Sequence, residues 1–300
     1  MSLPSVRPFS ILTEVSSDLP ASYLKKHGVI PIPILYTIEG TDYDGSPEHS
    51  LPLDLFYDKL RKGASAKPAA VSIEASRQCM EGELKKGNDI LYIGFSSGLS
   101  SSFQNGCLAA EALRQEYPDA QVRCVDSLCA SLGQGLLVNY AVQKQQELCS
   151  LEDTARAVEE IRPHLCHYFT VDDLNHLYRG GRVSKTAAIF GTMLGIKPVM
   201  HVDDEGHLIP HAKVRGRRAA LDQLVKNMEQ KLSPEYPNPY VFISHGDCLS
   251  DAKYVAEQVK SKFKLKTEIL DFIGPVIGSH SGPGTVALFF LGENRTEKKL

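Results

Sequence analysis

The stretch DILYIGFSSGLSSSFQNG, residues 89–106, is an apolar run followed by a turn rich in glycine and serine and then by a helical pattern. This succession predicts a buried strand, a tight turn and the start of a helix. Its segment Gly94-Phe95-Ser96-Ser97-Gly98 also fits the G-x-S-x-G pattern of a hydrolase nucleophile elbow. The stretch therefore raises two possibilities: a serine that attacks a substrate, or serines that only bind one.

In the hydrolase interpretation Ser96 is the nucleophile, and Asp247 and His280 follow it in the chain order usual for that fold. The pattern is weak, however, because serines crowd this turn at positions 96, 97, 100, 101 and 102. A group of hydroxyls and free N–H groups at a helix start suits an anion, through hydrogen bonds and the helix dipole. Serines that merely cap the helix are the remaining alternative.

The composition is that of a globular protein without a dominant charge. Of 300 residues, 42% are hydrophobic, and 33 basic against 36 acidic residues give a net charge of −3. This balance provides no overall field for nucleic acid or for an anionic membrane. No apolar run approaches the ~18 residues of a membrane span, and the start of the chain lacks the pattern of a signal peptide. These observations predict a soluble, cytoplasmic protein.

The cysteines and histidines give no sign of a metal site. The 7 cysteines include no C-x-x-C pair, and the 10 histidines include no H-E-x-x-H or similar spacing. Buried reduced thiols are the expected state of such cysteines in a cytosolic protein. We therefore expect neither a metal nor a cofactor.

The first half of the chain alternates short β-branched runs with helical patterns. Predicted strands are 9–15, 29–38, 90–95 and 121–127, and predicted helices are 53–62, 73–86, 102–116 and 130–148. This alternation is typical of βαβ units that form a largely parallel sheet covered by helices. Gly133 and Gly135 lie inside the last of these helices and indicate close packing there.

After residue 151 the pattern changes. A helix from 151, a strand over 166–174 and an apolar helix over 184–195 precede a hairpin over 196–214 with an Asp-Glu-Gly turn. A helix, a strand and another helix follow over 216–231, 240–247 and 250–262. We predict an N-terminal α/β domain over 1–160 with a mostly parallel sheet, and a C-terminal α/β domain over 161–300 with a mixed sheet.

Six motifs together resemble the DegV family of lipid-binding proteins. In chain order they are VSSDLP (15–20), SSGLSSSFQ (96–104), VDSLCASLGQGLL (125–137), LYRGGRVS (177–184), GIKPVM (195–200) and GPVIGSHSGPGTVAL (274–288). The resemblance runs from about residue 10 to 291. It implies two α/β domains, a tunnel that holds an acyl chain, and a head-group site near the domain interface.

The resemblance also implies which residues contact the fatty-acid carboxylate: Ser65, Ser97 and His280. Ser65 takes the place of a family threonine, and a protonated His280 would add a charge-assisted bond. Supporting positions around the head group are Ser96, Ser100, Ser279 and Gly282. Apolar candidates for the tunnel wall are Ile189, Phe190, Met193 and Leu194.

Three positions depart from the family pattern. Glu14 stands where the family usually has aspartate, SAKP (65–68) replaces a more usual threonine-serine-glutamine-proline, and Ser101 replaces a glycine. A serine at that position asks more of the backbone if its φ is positive. We expect these changes to affect the head-group geometry rather than the fold.

The basic turn YRGGRVSK points to a protein partner through the same resemblance. The implied relay is a carrier that binds a long-chain fatty acid and presents it to a separate ATP-dependent fatty acid kinase, giving acyl phosphate for phospholipid synthesis. The expected docking residues for that kinase are Arg179, Arg182 and Arg215. Transient contact with a membrane surface is compatible with this role, and no nucleic-acid partner is expected. No phosphate-binding motif of an ATP site occurs in the chain, so we expect a carrier and not an enzyme.

Two alternatives stay open at this point. One is the serine hydrolase based on Ser96, and the other is a protein of the same fold that binds a different lipid-like anion without a kinase partner.

Overall fold

The computed structural model describes residues 7–46, 49–184 and 195–296. Within them the chain forms three sheets, one parallel, one mixed and one antiparallel, with helices packed against them. The α/β fold class is confirmed. The predicted helix over 184–195 and the four tunnel candidates Ile189, Phe190, Met193 and Leu194 lie outside the described residues, apart from the ends of that helix.

The first sheet is parallel and contains the strand predicted from the opening stretch. Its order is β2 (Ile30–Ile32), β1 (Phe9–Glu14), β6 (Asp89–Gly94) and β7 (Val122–Asp126). Every residue of β6 is buried, as expected for a central strand covered on both faces. Helices of this half are α1 (Ala21–His27), α3 (Ile73–Leu84), α4 (Ser102–Glu116), α5 (Leu132–Gln146) and α6 (Leu151–Ile161).

The single strand predicted over 29–38 is wrong, because this segment forms two strands in two different sheets. After the edge strand β2, the chain leaves the parallel sheet and Tyr36–Ile38 forms β3. Pro31 and Pro33 explain the break, since proline has no N–H to continue a ladder and is confined to sheet edges. Strand β3 pairs antiparallel with β4 (Thr41–Tyr43) and β5 (Ala66–Pro68), and α2 (Leu53–Arg61) packs nearby.

The second sheet is mixed and has the order β10-β9-β8-β13-β11-β12. These strands are β8 (Leu165–Thr170), β9 (Ile196–Val202), β10 (Leu208–Arg215), β11 (Tyr240–His245), β12 (Lys266–Phe272) and β13 (Val286–Leu291). The predicted hairpin is confirmed as the antiparallel pair β9 and β10. Helices of this half are α7 (Asn175–Arg179), α8 (Arg217–Lys231), α9 (Leu249–Phe263) and α10 (Pro275–Ser281).

Helix α5 joins the two larger sheets in one hydrophobic cluster. It packs against β1 and β6 of the parallel sheet and against β8, β11 and β13 of the mixed sheet. A Cβ at Gly135 would lie 2.9 Å from the Ser17 carbonyl oxygen, and one at Gly133 would lie 3.0 Å from the Phe289 ring. The close packing predicted for these two glycines is confirmed. The boundary predicted near residue 160 stays a prediction.

Two features are absent from residues 7–46, 49–184 and 195–296. No helix there is long and apolar enough to cross a membrane. Nor does this part of the chain bring three or more potential metal-binding side chains together.

Candidate functional site

An apolar cavity of about 170 Å³ lies between the serine turn, the hairpin β9–β10 and helix α10. Most of its walls are aliphatic or aromatic: Ile34, Phe95, Leu99, Phe169, Leu177, Leu208, Ile273, Val276 and Ile277. The same walls also carry polar side chains: Ser16, Ser100, Ser101, Ser102, Ser131, His167, Arg182, His280, Ser281 and Thr285. Such a lining suits a mostly apolar ligand with few polar groups.

A wider polar cleft of about 680 Å³ adjoins this cavity. Three residues border both spaces: Pro68, Arg182 and His280. The cleft is also lined by Ser65, Lys67, His176, Arg179 and Ser279. The boundary between apolar and polar surroundings therefore falls at a guanidinium and an imidazole.

Arg182 is half-buried at this boundary. Its Nε donates to the carbonyl oxygen of Leu99 at 3.2 Å, and its Nη1 donates to the carbonyl oxygen of Gly180. Its Nη2 makes no hydrogen bond within the described part of the chain. Burial lowers the pKa of the guanidinium, but a guanidinium stays charged at neutral pH. Arg182 thus brings a positive charge to the cavity mouth, although the sequence suggested a docking role for it.

His280 lies next to Arg182 on the last turn of α10. A Cβ on Gly180 would stand 2.2 Å from its Nδ1, so the imidazole packs directly on the backbone of the basic turn. Burial, and secondly the charge of Arg182, lower the pKa of His280 to about 4. The charge-assisted bond that a protonated His280 would add stays a prediction, and both burial and the neighbouring guanidinium oppose protonation. At neutral pH the imidazole is neutral and offers one N–H donor.

The serine turn presents Ser100, Ser101 and Ser102 to the cavity, at the start of α4. The Ser100 and Ser102 hydroxyls lie 3.0 Å apart, and the Ser102 oxygen also accepts the N–H of Val71 at 3.0 Å. Ser101 has φ −75°, so the serine that replaces a glycine costs no backbone strain. Its side chain makes no capping hydrogen bond and so can bind a ligand.

Ser97 does not belong to this group. The side chain is exposed, it borders neither the cavity nor the cleft, and its backbone N–H donates to Asp126 at 3.3 Å. Sequence placed the carboxylate contact on the first serines of the turn. Instead, the later serines Ser100, Ser101 and Ser102, at the start of α4, line the cavity.

Ser96 is fully buried beneath the hairpin turn. Its hydroxyl donates to the carbonyl oxygen of Gly206 at 2.9 Å, and a Cβ on that glycine would lie 2.1 Å from the hydroxyl oxygen. Asp247, the acid of the hydrolase alternative, is paired with Arg61. A nucleophile must be exposed and bonded to a base, so this geometry gives Ser96 a structural role.

Three other predicted positions surround the cleft or support it. Ser65 is exposed on its wall, just before β5. Ser279 lines it as well, and its hydroxyl donates to the Pro275 carbonyl oxygen at 2.6 Å. Gly282 has φ +76°, and a Cβ there would lie 2.6 Å from the His176 ring, so only glycine fits.

Sequence reasoning missed two residues on the cavity wall and the carboxylate behind them. Ser281 borders the cavity, and its buried hydroxyl has no hydrogen-bond partner among the described residues. Ser131 also borders it and donates to the buried carboxylate of Asp18, which accepts the Gly274 N–H at 2.9 Å as well. Burial raises the pKa of Asp18 to about 7. The clue was the VSSDLP motif (15–20), which contains this aspartate.

The departure at Glu14 leaves a complete network. The buried carboxylate accepts the Phe95 N–H at 2.9 Å, the Gln134 amide at 2.6 Å and the Tyr92 hydroxyl. Burial still raises its pKa. Glutamate at this position therefore holds the end of β6, where the serine turn begins.

The predicted docking residues do not form one group. Arg179 is exposed and borders the cleft beside His176. Arg215 is exposed at the end of β10 and borders neither the cavity nor the cleft.

Comparison with known proteins agrees with the resemblance seen in the motifs. The family described as "Uncharacterised protein, DegV family" matches residues 8–293. A DegV domain-containing protein of Clostridium perfringens is 40% identical over 97% of this chain and 99% of its own length. The chain belongs to the DegV family.

Two solved DegV structures resemble this DegV chain over almost its whole length. A DegV family protein of Thermus thermophilus, described as binding fatty acid, superposes with a TM-score of 0.83 at 27% identity, covering 95% of this chain and 99% of its own. A fatty acid binding DegV family protein of Streptococcus agalactiae gives a TM-score of 0.82 at 27% identity, covering 96% of this chain and 100% of its own. This chain therefore has the fold of these two DegV proteins.

Proposed function

We propose that this protein binds a long-chain fatty acid, with the acyl chain in the apolar cavity and the carboxylate at its mouth. The observation that carries the proposal is that Arg182 and His280 border both the apolar cavity and the polar cleft. The fatty acid binding described for the relatives from Thermus thermophilus and Streptococcus agalactiae supports it.

The free energy of burying an acyl chain favours a long-chain fatty acid as the ligand. A chain of about 14 methylenes at ~0.8 kcal/mol each has an upper limit of roughly 11 kcal/mol for burial in an apolar tunnel. Loss of ligand freedom reduces this value substantially. A carboxylate that leaves water must be paired and hydrogen-bonded, which the Nη2 of Arg182 and the neutral His280 can provide. The Ser101 hydroxyl supplies a further donor at the serine turn.

The carboxylate contacts in this proposal differ in part from those implied by the motifs. Arg182 takes the place of a charged imidazole, and the serine turn contributes Ser100 or Ser101 rather than Ser97. Ser65 stays on the cleft wall, where it can reach a carboxylate only at the cavity mouth. Ser281, whose hydroxyl lacks a partner among the described residues, completes the set.

We further propose that the protein is a carrier and not an enzyme. A carboxylate at the mouth faces the open cleft, where a separate ATP-dependent fatty acid kinase can reach it. The acyl phosphate then enters phospholipid synthesis. In this scheme Arg179, exposed on the cleft wall, and Arg215 contribute to docking of the kinase.

The first experiment is to denature the purified protein, extract it into organic solvent and identify the extract by mass spectrometry. We expect about one fatty acid per chain. Delipidated protein is then titrated with palmitate by calorimetry. Arg182→Gln should weaken binding by roughly 10-fold or more, because hydrogen bonds to charged groups contribute about 1.5–3 kcal/mol.

Arg179→Gln is the matched control, since this exposed arginine lies in the same turn and the proposal gives it no contact with the ligand. Its affinity for palmitate should stay within about twofold of the native value. An empty extract together with no binding of palmitate contradicts the proposed function. Equal losses in the two variants contradict the assignment of Arg182.

A further inference from the structure

His167 is the one imidazole on the described cavity wall that the proposed head-group site does not use. His167 lies on β8, is 4% exposed and borders the cavity but not the cleft. It is thus not one of the residues at the mouth that border both spaces, among them Arg182 and His280.

Strand register places His167 deeper than the other aromatic wall residue of β8. Phe169 pairs with Ala287, and His167 pairs with Phe289, two residues further along β13. Side chains two apart in a strand share a face, and their positions differ by about 6.6–6.8 Å. Since β13 follows Thr285 and the end of α10 at the mouth side, His167 lies about one side-chain row beyond Phe169.

His167 is an unusual group for such a place. Its Nδ1 is buried and has no hydrogen-bond partner among the described residues, and its ring contacts are the aromatic rings of Phe169 and Phe289. Burial, and then the charges of Arg295 and His201, lower its pKa to about 3. At neutral pH the ring is a neutral imidazole with one donor and one acceptor. Leaving such a buried polar group unpaired costs free energy that an apolar side chain at the same position would not cost.

We infer that the preferred ligand is a long-chain acid with a hydroxyl group within its acyl chain, hydrogen-bonded to His167. The inference rests on the proposed function, because it assumes that the acyl chain occupies this cavity. A hydroxyl fits either tautomer of the imidazole, since it can both donate and accept, whereas a carbonyl oxygen can only accept. A saturated chain leaves the imidazole unpaired, and a hydroxylated chain in an apolar tunnel leaves its own hydroxyl unpaired. A hydrogen bond between the two pairs the ligand hydroxyl and one nitrogen of the ring.

The test uses the delipidated full-length protein and three acids: stearate, 10-hydroxystearate and 12-hydroxystearate. Dissociation constants are measured by calorimetry. Native protein should bind at least one hydroxystearate about 3- to 10-fold more tightly than stearate, the range of one neutral hydrogen bond. In His167→Phe the order should reverse, with stearate bound more tightly than either hydroxystearate. His167→Gln, which keeps a side chain able to donate and accept, should retain the native order.

Phe169→Leu is the matched control on the same wall, and it should weaken all three acids by similar factors without changing their order. If native protein binds stearate as tightly as both hydroxystearates, or more tightly, the inference is overturned while fatty-acid binding stands. The same holds if His167→Phe keeps a preference for the hydroxylated chain. If none of the three acids binds, the proposed function itself fails.

Discussion

At the residue scale, the position of the His280 ring depends on the missing side chain of Gly180. This glycine has φ −72°, which any residue can adopt, so its backbone does not require glycine. The requirement is steric, since a Cβ would lie 2.2 Å from Nδ1 of His280. A methyl group there must push the imidazole away from the mouth of the cavity.

We therefore expect Gly180→Ala to weaken palmitate binding by about 5- to 10-fold, the equivalent of one lost hydrogen bond. The free energy of unfolding should change little, because alanine suits a helix end with this φ. Titration calorimetry and chemical denaturation measure the two quantities.

Gly181→Ala should show the opposite pattern. Gly181 has φ +73°, and no atom lies within 4 Å of the place that a methyl group would take, so alanine is strained but displaces nothing. It should lose about 1–2 kcal/mol of stability and keep its affinity within about twofold. Equal affinities in the two variants would show that His280 does not contact the ligand.

At the scale of elements, Asp18 joins three of them. It follows the short helical turn after β1, accepts the Ser131 hydroxyl at the start of α5, and accepts the Gly274 N–H just before α10. Helix α10 carries His280, so this carboxylate fixes the helix that closes the mouth. Burial makes the charged form costly, which is why its pKa rises to about 7.

The pH dependence of stability should reveal this group. A carboxyl whose pKa is 3.8 when unfolded and about 7 when folded contributes stability below pH 3.8, and this is lost as the pH rises to about 7. Relative to the native protein, Asp18→Asn should therefore gain stability between pH 4 and about pH 7, by no more than about 4 kcal/mol. Urea denaturation at a series of pH values measures the difference. A difference that stays constant over this range contradicts the raised pKa.

The change of stability with pH that comes from His280 should have the opposite sign. Its pKa falls from 6.5 to about 4 on folding, so its contribution is complete above pH 6.5 and is lost as the pH falls towards 4. Relative to native protein, His280→Gln should gain stability as the pH falls through this window. The two difference curves should slope in opposite directions.

At the scale of the whole molecule, binding and docking should be separable. The proposed ligand contacts lie at the cavity mouth, whereas Arg215 lies at the end of β10 and borders neither the cavity nor the cleft. The double variant Arg179→Gln with Arg215→Gln should bind palmitate normally and lose at least about 10-fold in acyl phosphate formation when a fatty acid kinase and ATP are added. Arg156→Gln, an exposed arginine on α6, is the control. A double variant that is phosphorylated at the native rate would remove these arginines from the docking surface.

The sequence alone predicted the fold class and many of the strands and helices. Apolar runs with turn signals located β6 and α4, and the six motifs led to the family. It could not locate the side chains of the serine turn. Which of Ser97, Ser100 and Ser101 faces inward depends on the angle at which α4 leaves β6, and a local pattern does not contain that angle. Burial of Arg182 and His167 was equally hidden, because it comes from contacts between distant parts of the chain.

The order of strands in the mixed sheet has a consequence for how the protein is made. Strand β13 follows all the other strands of this sheet in the sequence, yet it lies in the middle of the sheet, between β8 and β11. While a ribosome is still synthesising this region, β8 with its neighbours and β11 with β12 can only form two partial sheets, each with an open edge. Such edges invite pairing with other nascent chains. Correct assembly therefore depends on how quickly residues 286–291, once synthesised, insert between β8 and β11 and join the two partial sheets.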